Sequence, residues 1–167
     1  MAAVFGGGMK SPETKEYRET ILIGNMLSKY GYDVKSGGYY GIMEAISIGV
    51  SESGGKSIGY TCKKFKSTKG NKFLSETIIT DDIFERLRLL IENTDIFIVQ
   101  RGSVGTLSEL FLSLDVIRKM KDKPRIILVG SFWGDIFGEM SILIGKDDID
   151  TLSIVDDYKE IERYLIN

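Results

Sequence analysis

The sequence predicts an α/β fold, a Rossmann-like three-layer α/β/α sandwich around a parallel sheet of about six or seven strands. Three observations lead there. Short runs rich in β-branched residues alternate with amphipathic stretches of helical length from one end of the chain to the other. Glycines gather where three of the predicted strands end. The chain has 167 residues, of which 43% are hydrophobic and 28% charged, the size and balance of one globular domain over residues 1–167.

Taken in order, the first strand covers residues 2–5 and runs into Gly6, Gly7 and Gly8. Ser11 and Pro12 supply an N-cap and a first-turn proline for a helix over residues 12–30, which Gly31 closes. The second strand, 33–35, leads to Gly37, Gly38 and Gly41 and then to a helix over 42–53. The third strand, 57–61, is followed by the longest unpatterned piece of the chain, residues 62–75, with Lys63, Lys64, Lys66, Lys69 and Lys72. Such a run is ordinarily a solvated loop, and its place after a strand's carboxyl end also suits anion capture.

The fourth strand, 77–80, and a helix over 82–93 come next. The fifth strand, 96–100, passes into Arg101, Gly102, Ser103 and Gly105 and a helix over 106–120. A strand at 125–129, a helix at 132–144, a strand at 152–155 and a helix at 156–166 complete the pattern. Strict alternation of this kind implies parallel strands joined by right-handed crossovers, with helices on both faces.

Composition removes several classes of function. There is no histidine and one cysteine, Cys62, so histidine-based triads, histidine-ligated zinc and an intramolecular disulfide are all excluded. Acid–base chemistry must come from carboxylates or lysines. The net charge of −2 gives no overall attraction to nucleic acid. No apolar run reaches the ~18 residues needed to span a bilayer, and the start of the chain lacks a basic segment followed by an apolar one. The expectation is a cytoplasmic protein with no metal, no cofactor, and no nucleic-acid or membrane partner.

In open α/β sheets ligands bind beyond the carboxyl ends of the strands, where glycines admit the backbone and helix N-termini offer unpaired N–H groups to anions. Three glycine turns at one sheet edge therefore point to a nucleotide or another phosphorylated small molecule as ligand. The turn from Arg101 to Glu109 is the main candidate for its phosphate.

Four segments carry a family resemblance: SGGYYGIMEA at 36–45, DDIFERL at 81–87, RGSVGTLSEL at 101–110 and KPRIILVGSFW at 123–133. Together they resemble the Lonely Guy family, long called lysine decarboxylase-like, whose members carry a GGGxxG(L/I)M stretch, an Arg-Lys pair on a helix and a PGGxGTxxE turn. Order and spacing match across nearly the whole chain. The resemblance implies a phosphoribohydrolase that splits the N-glycosidic bond of a nucleoside 5′-monophosphate, cytokinin nucleotides above all. By position, Arg86 matches the family's catalytic arginine, Glu109 its catalytic glutamate, and Gly102, Gly105 and Thr106 its phosphate turn. Gly7, Gly8, Gly37, Gly38, Gly41, Arg101 and Ser103 complete the expected nucleotide-binding set, with Tyr39 and Glu44 on the base side. The family also implies a homo-oligomer formed through helices beside the site.

The residue types suit that chemistry. A carboxylate near the anomeric carbon stabilises an oxocarbenium-like sugar and orients water, while a guanidinium fixes a carboxylate or phosphate with paired hydrogen bonds. The departures are equally plain: Arg101 replaces the family's proline, Ser103 its second glycine, Leu87 its lysine, and Tyr39 and Tyr40 stand at the third glycine and the position after it. They leave open a non-catalytic nucleotide or molybdenum-cofactor carrier of the same fold. Structural roles also compete. Thr106 and Glu109 have the spacing of a capping box, Asp82 and Arg86 that of an i,i+4 surface ion pair, and Glu44 a place where any carboxylate favours the helix dipole.

Overall fold

In the computed structural model, which describes residues 1–166 and leaves Asn167 of the expected domain outside them, seven strands form one parallel sheet in the order β4-β3-β2-β1-β5-β6-β7. They are β1 (Ala2–Phe5), β2 (Val34–Ser36), β3 (Ser57–Cys62), β4 (Glu76–Thr80), β5 (Ile96–Val99), β6 (Arg125–Val129) and β7 (Leu152–Val155). All seven lie within one residue of the β-type runs read from the sequence. Central strands of a parallel sheet are covered on both faces and need apolar residues throughout, and every residue of β1 and β5 is buried.

The helices are α1 (Lys15–Lys29), α2 (Ile42–Glu52), α3 (Ile83–Ile91), α4 (Val104–Ile117), α5 (Phe132–Met140) and the short α6 (Lys146–Ile149). On one face α1, α2 and the chain end pack Ile23, Leu27, Ile42, Ile46, Ile161 and Leu165 against Val4, Ile98 and Ile127. On the other face α3, α4 and α5 pack Leu90, Leu110, Leu114 and Phe137 against Phe5, Phe97 and Leu128. Burial of one such side chain is worth ~2 kcal/mol before entropic costs.

Two helix ends differ from the sequence reading. The side chain of Thr14, not Ser11, accepts the N-cap bond from Tyr17 N, and α1 begins at Lys15. The last element is a 3-10 helix, Tyr158–Tyr164, capped by an Asp157–Glu160 capping box. The end of α1 is as expected. Gly31, at φ 78°, carries the left-handed closing residue, with bonds from Gly31 N to Ser28 O and from Tyr32 N to Leu27 O.

Close approach of α1 and α2 depends on two glycines. A Cβ on Gly49 would stand 2.0 Å from Ile21 O, and one on Gly24 would stand 2.7 Å from Ile46 O. The connection from β3 to β4 carries no helix, so two parallel neighbours are joined by an irregular loop over residues 63–75. No helix of the described residues is long and apolar enough to cross a membrane.

Candidate functional site

The chain winds outward from β1 through β2 and β3 to β4, then returns to the other side of β1 with β5. That reversal is the switch point where ligands of open α/β sheets bind. A cleft of about 460 Å³ opens there, within the range that holds a small ligand. A larger depression of about 770 Å³ lies at the opposite sheet edge, beside Asp95 and Pro124. It adjoins the starts of β5 and β6, where no glycine turn or helix N-terminus converges.

Arg86 and Glu109 face each other in the cleft, with Nη1 of the arginine 3.3 Å from Oε1 of the glutamate. Both side chains are buried. Asp82 occupies the N-cap of α3, where it accepts from the N–H groups of Phe84 and Glu85, so it does not pair with Arg86. The guanidinium instead donates through Nε to Tyr60 O at 2.7 Å, and its carbon lies 5.9 Å from the Tyr39 ring and 5.6 Å from the Phe65 ring. Four partners from three chain segments thus fix one side chain.

The capping-box reading of Thr106 and Glu109 is corrected. Ser103 is the N-cap of α4 and Thr106 already lies inside the helix, so Glu109 sits beyond the reach of a cap. Its side chain turns to Arg86. Burial raises the Glu109 carboxyl from 4.5 to about 7, and Arg86 offsets that only in part. The 3.3 Å separation agrees, since tight charge-assisted bonds are ~2.7–2.9 Å. The result is a carboxyl group that can exchange a proton near neutrality.

The N-terminus of α4 forms the adjoining wall through Ser103, Val104, Gly105 and Thr106. Ser103 makes no side-chain cap bond, and so leaves first-turn N–H groups to an anion. Around Gly105 there is open space, while a Cβ on Gly102 would collide with Thr106 Oγ1 at 2.0 Å. One glycine therefore faces open space in the cleft and the other seats a neighbour.

Of the expected residues, Gly8, Tyr39, Arg86, Ser103, Gly105, Thr106 and Glu109 line the cleft. Several others do not. Gly7 packs against Gly102, with a Cβ position 3.3 Å from its Cα, and Gly38 packs against Gly59. Gly37 lies under Arg86, and Gly41 abuts Gly7 and Gly8. These four glycines serve close protein packing. The Arg101 guanidinium rests over the Phe132 ring at 5.1 Å, outside the cleft. Glu44 accepts a bond of 3.0 Å from Tyr17 Oη, and burial together with that bond pushes the Tyr17 phenol up to about 12.

The apolar wall was not foreseen. Met43, Phe65, Phe84 and Val104 line the cleft, and Phe84 and Val104 are 78% and 77% exposed. Phe65 comes from the helix-free loop, which Asn71 ties down by donating to Tyr39 O at 2.9 Å and Gly38 O at 3.2 Å. Tyr39 Oη donates to Ser67 O at 3.0 Å and accepts from Cys62 N at 3.1 Å. A long loop with an aromatic among lysines was the available signal. The lysines themselves stay in solvent, Lys63 paired with Asp81.

The family model described as SLOG cluster4 family matches residues 1–139. A protein of Mycobacterium tuberculosis named cytokinin riboside 5′-monophosphate phosphoribohydrolase is 31% identical over 140 residues, which cover 78% of this chain and 74% of that one. The structure of a molybdenum cofactor binding protein from Rippkaea orientalis superposes with a TM-score of 0.76 at 20% identity, over 99% of this chain and 96% of that one. The molybdenum cofactor carrier protein of Chlamydomonas reinhardtii also gives 0.76, at 18% identity, over 98% and 94%. At such identities the structures speak for the fold alone.

Proposed function

Because the chain belongs to the SLOG cluster4 family, within the LOG-like superfamily, we propose that it is a phosphoribohydrolase cleaving nucleoside 5′-monophosphates to free base and ribose 5-phosphate. The observation that carries this reading is the buried Arg86–Glu109 pair, set one helical turn from the open N-terminus of α4.

In this reading the 5′-phosphate occupies the first turn of α4 at Gly105 and Thr106, where N–H groups and the helix dipole favour an anion. The sugar then lies beside Glu109. As the bond between C1′ and the base nitrogen breaks, its electron pair leaves with the base and positive charge develops on the ribose. Glu109, as carboxylate, stabilises that charge and orients the water whose oxygen joins C1′. The base nitrogen takes up the water's proton. Arg86 holds the carboxylate in place, and the base rests against the apolar wall of Phe65, Tyr39 and Phe84.

The family reading of a homo-oligomer has support in α4. Val104, Leu112 and Val116 lie on one face of α4, with Met120 just past its end, and are all exposed. A second copy packed on this ridge would reach the cleft mouth at Val104.

The test is release of base and ribose 5-phosphate from AMP and prenylated AMP. No release from any nucleoside monophosphate overturns the proposal. The second reading, a nucleotide or molybdenum-cofactor carrier, is favoured by Ser103 and Leu87 standing where the family has glycine and lysine. Thermal stabilisation by a nucleotide or pterin without hydrolysis would select it.

A further inference from the structure

Arg86 is held from β2 as well as from its own helix. Side chains alternate along an extended chain, so Lys35 in β2 and Gly37 just past its end lie on the same side, the side that α3 covers. Lys35 is 1% exposed, and its ammonium donates to Leu89 O at 2.9 Å and to Glu92 O. Glu92 is the C-cap of α3, so the lysine satisfies carbonyls orphaned at that helix end and complements its dipole. Two residues along, a Cβ on Gly37 would stand 2.0 Å from Arg86 Nη2 and 2.7 Å from Met43 Sδ. Burial pulls the Lys35 ammonium down to about 8, against Glu92 and Asp95, the acids that favour its charge. An amine is thus kept in the core at a cost that an apolar residue would avoid.

We infer that Lys35 and Gly37 form a seat at the end of β2 that aims α3: Lys35 is a positioning residue fixing the helix end, and Gly37 leaves the space in which the Arg86 guanidinium reaches Glu109. The inference rests on the reading of Arg86 and Glu109 as the working pair, and adds what places the arginine. It predicts that disturbing either residue alters the Arg86–Glu109 contact although neither residue itself lines the ligand cleft.

The experiment uses the full chain with 13C-labelled glutamate, the Glu109 carboxyl resonance being assigned by Glu109→Gln. Its midpoint is followed by NMR in the parent, in Lys35→Met and in Gly37→Ala, beside steady-state hydrolysis of AMP. In folded Lys35→Met the Glu109 midpoint rises by at least ~0.5 units as the arginine's attraction weakens, and kcat falls about tenfold with KM for AMP nearly unchanged. In Gly37→Ala the midpoint moves by a similar amount. A folded variant of either kind with an unmoved midpoint overturns the seat. Should Lys35→Met fail to fold, Lys35→Gln, which keeps an N–H for one carbonyl, and Gly37→Ala decide by the same midpoint. If the parent hydrolyses no nucleoside monophosphate, the phosphoribohydrolase reading falls while the titration still judges the seat.

Discussion

Glu109 meets Arg86 across 3.3 Å, with only 11% and 8% of the two side chains exposed. A carboxylate so shielded is costly to keep charged, and the single arginine beside it relieves only part of that cost. Glu109 is therefore raised to about 7, a range where a cell operates.

For Glu109→Gln, turnover of a nucleoside monophosphate is expected to fall ~100-fold or more, measured by base release. The parent's kcat/KM should climb with pH through about 7 as the carboxylate forms, and a rate flat from acid to neutral pH would contradict its role. Stability carries the opposite sign. A carboxyl raised from 4.5 to about 7 favours folding below 4.5 and loses that contribution as pH rises to 7. Denaturant titrations should thus show Glu109→Gln gaining on the parent by ~3 kcal/mol across that window.

Arg86→Lys is expected to lose at least ~10-fold in turnover while remaining folded. A lysine offers one compact ammonium, which cannot serve Tyr60 O and Glu109 together from the arginine's position. Near-parental turnover in this variant would show that only the charge matters.

Two glycines should respond in opposite senses. Gly49→Ala drives a methyl to 2.0 Å from Ile21 O, and the forced separation of α1 from α2 should lower stability by ~1–3 kcal/mol. Gly105→Ala enters open space within a helix and should raise stability by up to ~1 kcal/mol, yet crowd the phosphate turn and raise KM. Denaturant titration beside KM measurement separates them, and an unchanged KM in Gly105→Ala would move the phosphate elsewhere.

On the α4 ridge, Val116→Asp should shift the chain from an oligomer to a monomer in sedimentation equilibrium. Val116 is 37% exposed, so its replacement by a charge spares the core. A parent that is already monomeric would remove the proposed pairing.

The strands were legible because burial on both sheet faces leaves little choice but apolar residues, as in Ile96–Val99. Helix starts were less so. Ser103 and Thr106 are both acceptable cap residues, and the extended backbone at Ser103, with Thr106 already inside the helix, decides between them. Glycine was ambiguous in kind. Gly37 and Gly105 look alike in sequence, but one makes room for a side chain and the other borders open space in the cleft. Phe65 was hidden because no periodicity marks an irregular loop, and what brings it to Arg86 is the remote anchoring by Asn71 and Tyr39.

The helix-free crossover between β3 and β4 bears on how this protein can change over generations. Its loop is pinned at Asn71 and Thr61, whose hydroxyl donates to Thr68 O at 2.8 Å, while Phe65 and the residues around it stand in solvent. Insertions or exchanges between the pins need not disturb the layered core. Ligand preference is therefore free to drift at Phe65 and its neighbours while Arg86, Glu109 and the sheet beneath them are inherited intact.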